Sequence, residues 1–390
     1  MTSLAIDLPD ETGRLVTYAL KARPIEAPAG PHRFNRTAFS AVHVVADPFA
    51  AQEPGLGSAI DWEATLAFRR HILDLGLGVA EAMDTAQRGM GLDWPAAREL
   101  IERSLAAADP AERGRIVSGV GTDHLAPAEA RSLDDVIAAY LEQLAAVQKA
   151  GGRVVLMASR ALARIATGPA DYETVYARVL AEADQPVILH WLGEMFDSQL
   201  AGYWGAGDFP PALETALAVI HANAAKIDGI KLSLLDDRKE LTMRRRLPEG
   251  VRMYTGDDFN YPALIEGDDR GYSHALLGIF DPIAPAASAA LSALAEGDVS
   301  TYRRILEPTL PLSRLIFRTP TQHYKTGVVF LAYLNGFQDH FVMIGGAQAM
   351  RPLPYFTELF RLADAAGLLR DPERAVARMR SLCSLYGIEN

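Results

Sequence analysis

One cysteine, Cys383, stands among 390 residues. That excludes an intrachain disulfide framework and any thiolate metal cluster; no base is placed beside it, so an inert thiol is expected. Long apolar runs are missing too: no stretch approaches the ~18 residues that a membrane helix needs. Nor is there a basic tract beyond the "RRR" of Arg244 to Arg246, which reads as a solvated helix end. With a formal net charge of −11 and a pI of about 5.4, nucleic acid and anionic membrane surfaces are excluded as main partners. The opening "MTSLAIDLPDETGRL" lacks the basic segment and apolar core of a secretory signal, and a cytoplasmic location is expected. No G-x-G-x-x-G follows the first apolar run, and no phosphate-binding lysine loop appears. Both absences count against a doubly wound dinucleotide-binding sheet.

What is present is ordinary globular composition, 49% hydrophobic and 22% charged with a mean hydropathy of +0.04. The first forty residues read as irregular. After them, short β-branched runs alternate with alanine- and leucine-rich segments of helical period. The runs are "FSAVHVVAD", "GLGVAEAMD", "RIVSGVGT", "RVVLMAS", "PVILHWL", "DGIKLS", "VRMYTGDD" and "GYSHALLG". Between them lie patterns such as "DWEATLAFRRHILDLG" and "SLDDVIAAYLEQLAAVQKAG", opened by Asp or Ser as capped helices are. Strands that are apolar throughout and alternate with helices predict an α/β protein, a (β/α)8 TIM barrel. Residues 1–37 read as an N-terminal extension, 38–297 as the barrel and 298–390 as a C-terminal helical region.

In such a barrel, reactive groups come from the C-terminal ends of strands and the loops just after them. The sharpest case is Lys231 in "KIDGIKLS", because an ammonium inside an apolar strand is costly unless it is paired or neutral. A desolvated lysine there attacks a carbonyl and forms an iminium, an electron sink for carbon–carbon chemistry. The other reading is a structural ion pair with Asp257 or Asp258, and spacing leaves both open. His190 in "VILHW" is either a core histidine or a proton shuttle at the same rim. In "TGDDFNY", capping of the next helix accounts for at least one of Asp257 and Asp258. The loop "DTAQRGMG" offers Asp84, Thr85, Gln87 and Arg88 toward an anionic or polyhydroxyl group.

The stretch "IDGIKLS", followed by "VRMYTGDDFNYPALIEGDDRGYSHALLGIFDPIAP", resembles the dihydrodipicolinate synthase / N-acetylneuraminate lyase superfamily. "IVSGVGT", "PVILHW" and the tail "EGDVSTYRRIL" with "RTPTQHYKTGVVFLAYLNG" extend the likeness over roughly residues 38 to 365. More narrowly, the chain resembles the DUF993 branch. The resemblance implies a strand-six Schiff base on Lys231 and a homodimer or homotetramer. Three positions depart from the pattern. "MDTAQRGMG" replaces the usual Gly-Thr-Thr-Gly-Glu, leaving only Thr85. His190 stands where the family has a tyrosine, and Met195 where the synthase has an arginine.

The expected activity is therefore a class I aldolase or lyase acting on a keto-sugar, keto-acid or related carbonyl substrate, and not dihydrodipicolinate synthase itself. Lys231 and His190 are the expected catalytic pair. Asp84, Thr85, Gln87, Arg88, Asp257, Asp258 and His274 are the expected substrate-binding set. No cofactor is expected, since the imine supplies the electron sink. Two alternatives remain at this stage. One is a metal-dependent barrel hydrolase or isomerase built on Asp47, Asp84, His190 and Asp257; the other is a catalytically altered binding protein. In and just before the loop 193–211, Trp191, Tyr203 and Trp204 either stack on a sugar face or pack.

Overall fold

Among the described residues ten strands occur: β1 (Ala5–Pro9), β2 (Leu15–Ala19), β3 (Ala38–Ala41), β4 (Gly78–Glu81), β5 (Ile116–Val120), β6 (Arg153–Leu156), β7 (Val187–Leu192), β8 (Ile227–Ser233), β9 (Arg252–Thr255) and β10 (His274–Leu277). The structure is a computed structural model and describes residues 4–53 and 55–388. Strands β3 to β10 pair in parallel in chain order, and β10 closes on β3. Helices intervene between successive strands, so the architecture is the expected (β/α)8 barrel, with extra N-terminal strands and C-terminal helices. Each apolar run yields a strand because both of its faces are buried, which is why no polar alternation marks them. The helices start where capping chemistry puts them: Asp61 caps Trp62–Asp74, Asp93 caps Trp94–Ala107, and Ser132 with Asp135 forms a full capping box on Leu133–Lys149.

The N-terminal segment departs from its irregular reading. β1 and β2 form an antiparallel hairpin whose turn is organised by the Asp10 carboxylate, which accepts the N–H groups of Thr12 and Arg14. Five residues per strand give too short an alternation to register as a period.

Contacts group the chain into two discontinuous units. One comprises Arg36–Val42 and Leu77–Gly278 and holds the barrel sheet. The other comprises Met1–Asn35, His43–Gly76 and Ile279–Asn390. Within it the helix Tyr324–Leu334 is almost wholly buried and Leu353–Ala365 buries its apolar face, with Phe330, Phe341 and Phe356 in mutual ring contact. These apolar helices are thus covered by their own chain. Cys383 is buried and reduced there.

The barrel interior is packed, not hollow. Phe39, Val117, Val155, Ile188, Tyr254 and Leu276 form its central cluster. Tyr254 fits because Gly229 faces it; a Cβ on Gly229 would lie 2.6 Å from the tyrosine ring. Below, the Tyr254 hydroxyl donates to Asp228, which Arg153 and Arg252 flank at 3.6 and 3.3 Å. That cluster seals the N-terminal end and leaves chemistry to the other.

Candidate active site

Parallel strands in register project paired residues to the same face, which fixes where Lys231 points. It stands opposite His190 on β7 and Tyr254 on β9, and Tyr254 belongs to the interior cluster. Lys231 and His190 therefore enter the barrel side by side. Gly256, just past β9, clears the path: a Cβ there would lie 2.9 Å from Lys231 Cε and 2.3 Å from Ser233 Oγ. Lys231 is 5% exposed, and its Nζ makes no hydrogen bond or ion-pair contact among the described residues. Burial pulls its pKa below the ordinary lysine value, and the carboxylates of Asp84 and Asp258 oppose that pull.

His190 is equally enclosed, at 2% exposure, with Nε2 3.1 Å from Ser233 Oγ. Burial first, and the positive charge of Lys231 second, hold it well below the usual histidine value; Asp84 acts against both. The imidazole is accordingly neutral at pH 7 and able to accept a proton. Asp84, only half-buried, couples electrostatically to both partners. Asp84 and His190 share the wall of a cavity of about 90 Å³ that also takes in Thr122, Met157, Arg160 and Leu192.

Other expected site residues fall elsewhere. The five donors of Arg88 are all committed within the protein. Nε and Nη2 grip Asp123 bidentately at 2.8 Å each, Nη2 also reaches Gln143, and Nη1 reaches the Ala82 and Gly119 carbonyls. Burial works to raise the pKa of Asp123, but Arg88 and Gln143 prevail and lower it. Arg88 thus ties the β4 loop to the end of β5 and leaves no donor for a substrate. Thr85 and Gln87 are buried, and Gln87 Nε2 donates to the Met90 carbonyl. From this loop the cavity wall takes Asp84, Arg88 and Gly89.

Asp257 serves as a local cap: Oδ1 accepts the N–H groups of Phe259 and Asn260, and Oδ2 accepts from the Asn260 amide. Its ion pair with Lys231 does not form. His274 opens β10 at the N-terminal end, where Nδ1 accepts the N–H of Thr37 at 2.8 Å, and burial lowers its pKa to about 4. Strand register pairs it with Tyr254, and the two ring centroids lie 5.6 Å apart. Trp191, Tyr203 and Trp204 are packed, with Trp204 fully buried and stacked on Tyr176. They offer no open ring to a sugar.

Among the described residues no group of three or more His, Cys, Asp or Glu side chains converges as metal ligands do. Asp47, from the set a metal reading needs, lies in the other unit and accepts the N–H of Phe49. Two groups were given no role by the sequence reading. Arg160, the residue after β6's "MAS", reaches the cavity, and its only sequence signal was its position at a strand end. His43 and Asp281 form a buried pair in the other unit, Nδ1 to Oδ2 at 2.8 Å, on a histidine hidden in the apolar run "AVHVVA".

Solved structures of dihydrodipicolinate synthases share this fold. The dihydrodipicolinate synthase of Aquifex aeolicus aligns with a TM-score of 0.60 at 13% identity, over 90% of this chain and 98% of that one. The Acinetobacter baumannii enzyme, crystallised chloride inhibited and complexed with pyruvate, aligns at 0.62 and 15% identity, covering 85% and 99%. That of Thermotoga maritima aligns at 0.62 and 14%, covering 86% and 100%. Identities this low speak for the fold, which is that of the dihydrodipicolinate synthase barrels. The chain belongs to the family described as protein of unknown function DUF993, which it matches over residues 6–388. A search of curated proteins by sequence finds no match. No helix is long and apolar enough to cross a membrane among the described residues.

Proposed function

We propose that this protein is a lyase of the class I aldolase type, with Lys231 as the Schiff-base nucleophile. The observation that carries the reading is an inward-facing lysine, buried, without a hydrogen-bond partner among the described residues and lowered in pKa, beside a neutral histidine. An amine so placed is poorly stabilised as an ammonium, so its nucleophilic form is more accessible than that of an exposed lysine. It adds to the substrate carbonyl to give a carbinolamine, and loss of water leaves an iminium. A base then removes the proton of a hydroxyl two carbons away, the intervening carbon–carbon bond breaks, and its electron pair moves into the iminium as an enamine. Protonation of the enamine carbon and hydrolysis return the free lysine.

His190 suits the proton transfers because it is neutral and linked to Ser233 at 3.1 Å. Asp84 suits the iminium stage, because its negative charge favours the protonated imine over the neutral one. The pyruvate held by the Acinetobacter baumannii enzyme supports a keto acid as one substrate class to examine, with keto-sugars as the other.

Borohydride trapping tests the reading. The protein is incubated with a panel of keto acids and keto-sugars, reduced, and examined by intact and peptide mass spectrometry. The expected result is a covalent adduct on the Lys231 peptide that Lys231→Ala lacks. An adduct on another lysine, or one undiminished in Lys231→Ala, overturns the assignment.

A further inference from the structure

The resemblance leads to the β4 loop for substrate recognition, yet Arg88 in that loop has no donor left. The cationic donors facing the cavity come from elsewhere. Arg160, first residue past β6's Ser159, lines the cavity together with Asp84 and His190. Its Nε is ion-paired to Asp197 Oδ2, which anchors the guanidinium in one orientation. Nη1 and Nη2 make no hydrogen bond among the described residues, and the side chain is about a third exposed, at 31%. The guanidinium lies against Gly89, whose added Cβ would sit 3.2 Å from Nη1 and 3.4 Å from Nη2. Gly89 also has a φ of +70°, a conformation that side chains disfavour. Glycine at this point of the β4 loop thus leaves the end-on face of Arg160 clear.

The rest of the wall narrows the ligand. Leu125, Pro127, Met157, Leu192 and Leu200 are apolar, so the body of a ligand between the two polar ends meets hydrocarbon. Asp123 is taken up by Arg88 and Gln143. An arginine presenting two parallel N–H groups matches the two oxygens of a carboxylate.

We propose that Arg160 is the specificity-determining residue of the site, receiving a carboxylate at the end of a substrate whose carbonyl lies toward Lys231. The proposal rests on the imine reading only for the position of the carbonyl; the carboxylate subsite stands independently of it.

The test measures binding by isothermal titration calorimetry and ligand-observed NMR. The probes are 4-oxopentanoate and 5-oxohexanoate, each compared with its neutral amide. Wild-type protein binds the acids at least about tenfold more tightly than the amides, as expected for a charge-assisted bidentate contact. Arg160→Gln removes that preference. Asp197→Asn, which leaves the arginine cation unneutralised, keeps or enlarges it, and this variant guards against a folding defect in Arg160→Gln. Lys231→Met retains the acid preference while losing any borohydride adduct, which separates a failure of the imine reading from a failure of this one. Equal binding of acid and amide by wild-type protein, binding of neither, or an acid preference that survives in Arg160→Gln overturns the proposal.

Discussion

At the residue scale, the arrangement around Lys231 sets a cost against a function. Burying an amine without a partner destabilises a fold, commonly by about 1–3 kcal/mol. Lys231→Met should therefore abolish borohydride trapping yet raise stability at pH 7 in urea unfolding. The sign follows from the lowered folded-state pKa. The penalty is present in full below that value and fades as the pH climbs from there toward the ordinary lysine value of 10.5. The gain on substitution should shrink over that window; a loss of stability would mean that Lys231 is a structural partner after all. Gly256 allows the opposite experiment. A methyl at Gly256 meets Lys231 Cε at 2.9 Å, Ser233 Oγ at 2.3 Å and the Leu232 carbonyl at 2.9 Å, and backbone cannot move aside as a side chain can. Gly256→Ala should cost about 1–3 kcal/mol. It should also slow imine trapping, because the lysine chain must leave its path.

At the element scale, the β4 loop carries a structural load that its composition disguised. "DTAQRGMG" looks like an anion cradle, with glycines, a glutamine and an arginine in eight residues. In the fold, Arg88 bridges the loop to Asp123 and Gln143 beyond β5 and on the next helix. Arg88→Gln should destabilise the protein by about 3–5 kcal/mol, because Asp123 and two backbone carbonyls lose their donor together. Calorimetric melting checks this, and the acid-over-amide preference should persist in whatever fraction stays folded. The loop 193–211 behaves likewise: its tryptophan and tyrosine are wedged against Tyr172 and Tyr176, where aromatic area stabilises packing.

At the scale of the whole molecule, pH acts through a second buried ionisable group. Glu240, on the helix Asp237–Arg244, is 1% exposed; its Oε1 accepts from Ser273 Oγ at 2.7 Å, while Oε2 has no partner among the described residues. Burial raises its pKa from 4.5 to about 8. The folded state thus keeps a proton that the unfolded chain releases from about pH 4.5 upward. The contribution to stability is full below 4.5 and is lost as the pH rises toward 8. Glu240→Gln should match wild type near pH 4.5 and become progressively more stable than it up to pH 8, in denaturant titrations across that range. A parallel pH profile for the two proteins would show that the carboxyl is not protonated in the fold. The apolar C-terminal helices give no reason of their own for association, because their chain already buries them.

Local chemistry made much of this legible. Eight apolar runs separated by capped helices suffice for a parallel barrel, because a strand buried on both faces has no polar side to show. The same rule places Lys231 and His190 at one rim, since neighbouring strands and strand ends are read directly from the order of residues. The sequence determined, then, the barrel and the neighbouring strands on which Lys231 and His190 stand. It did not determine which charged groups remain available, because that depends on partners distant along the chain. Arg88 and Arg160 look equivalent in a list of strand ends. Asp123 and Gln143, 35 and 55 residues from Arg88, take up the first, while Asp197 anchors the second by Nε alone and leaves its face to the cavity. Tertiary structure decided that difference, for a guanidinium binds only with the donors that folding has not already paired.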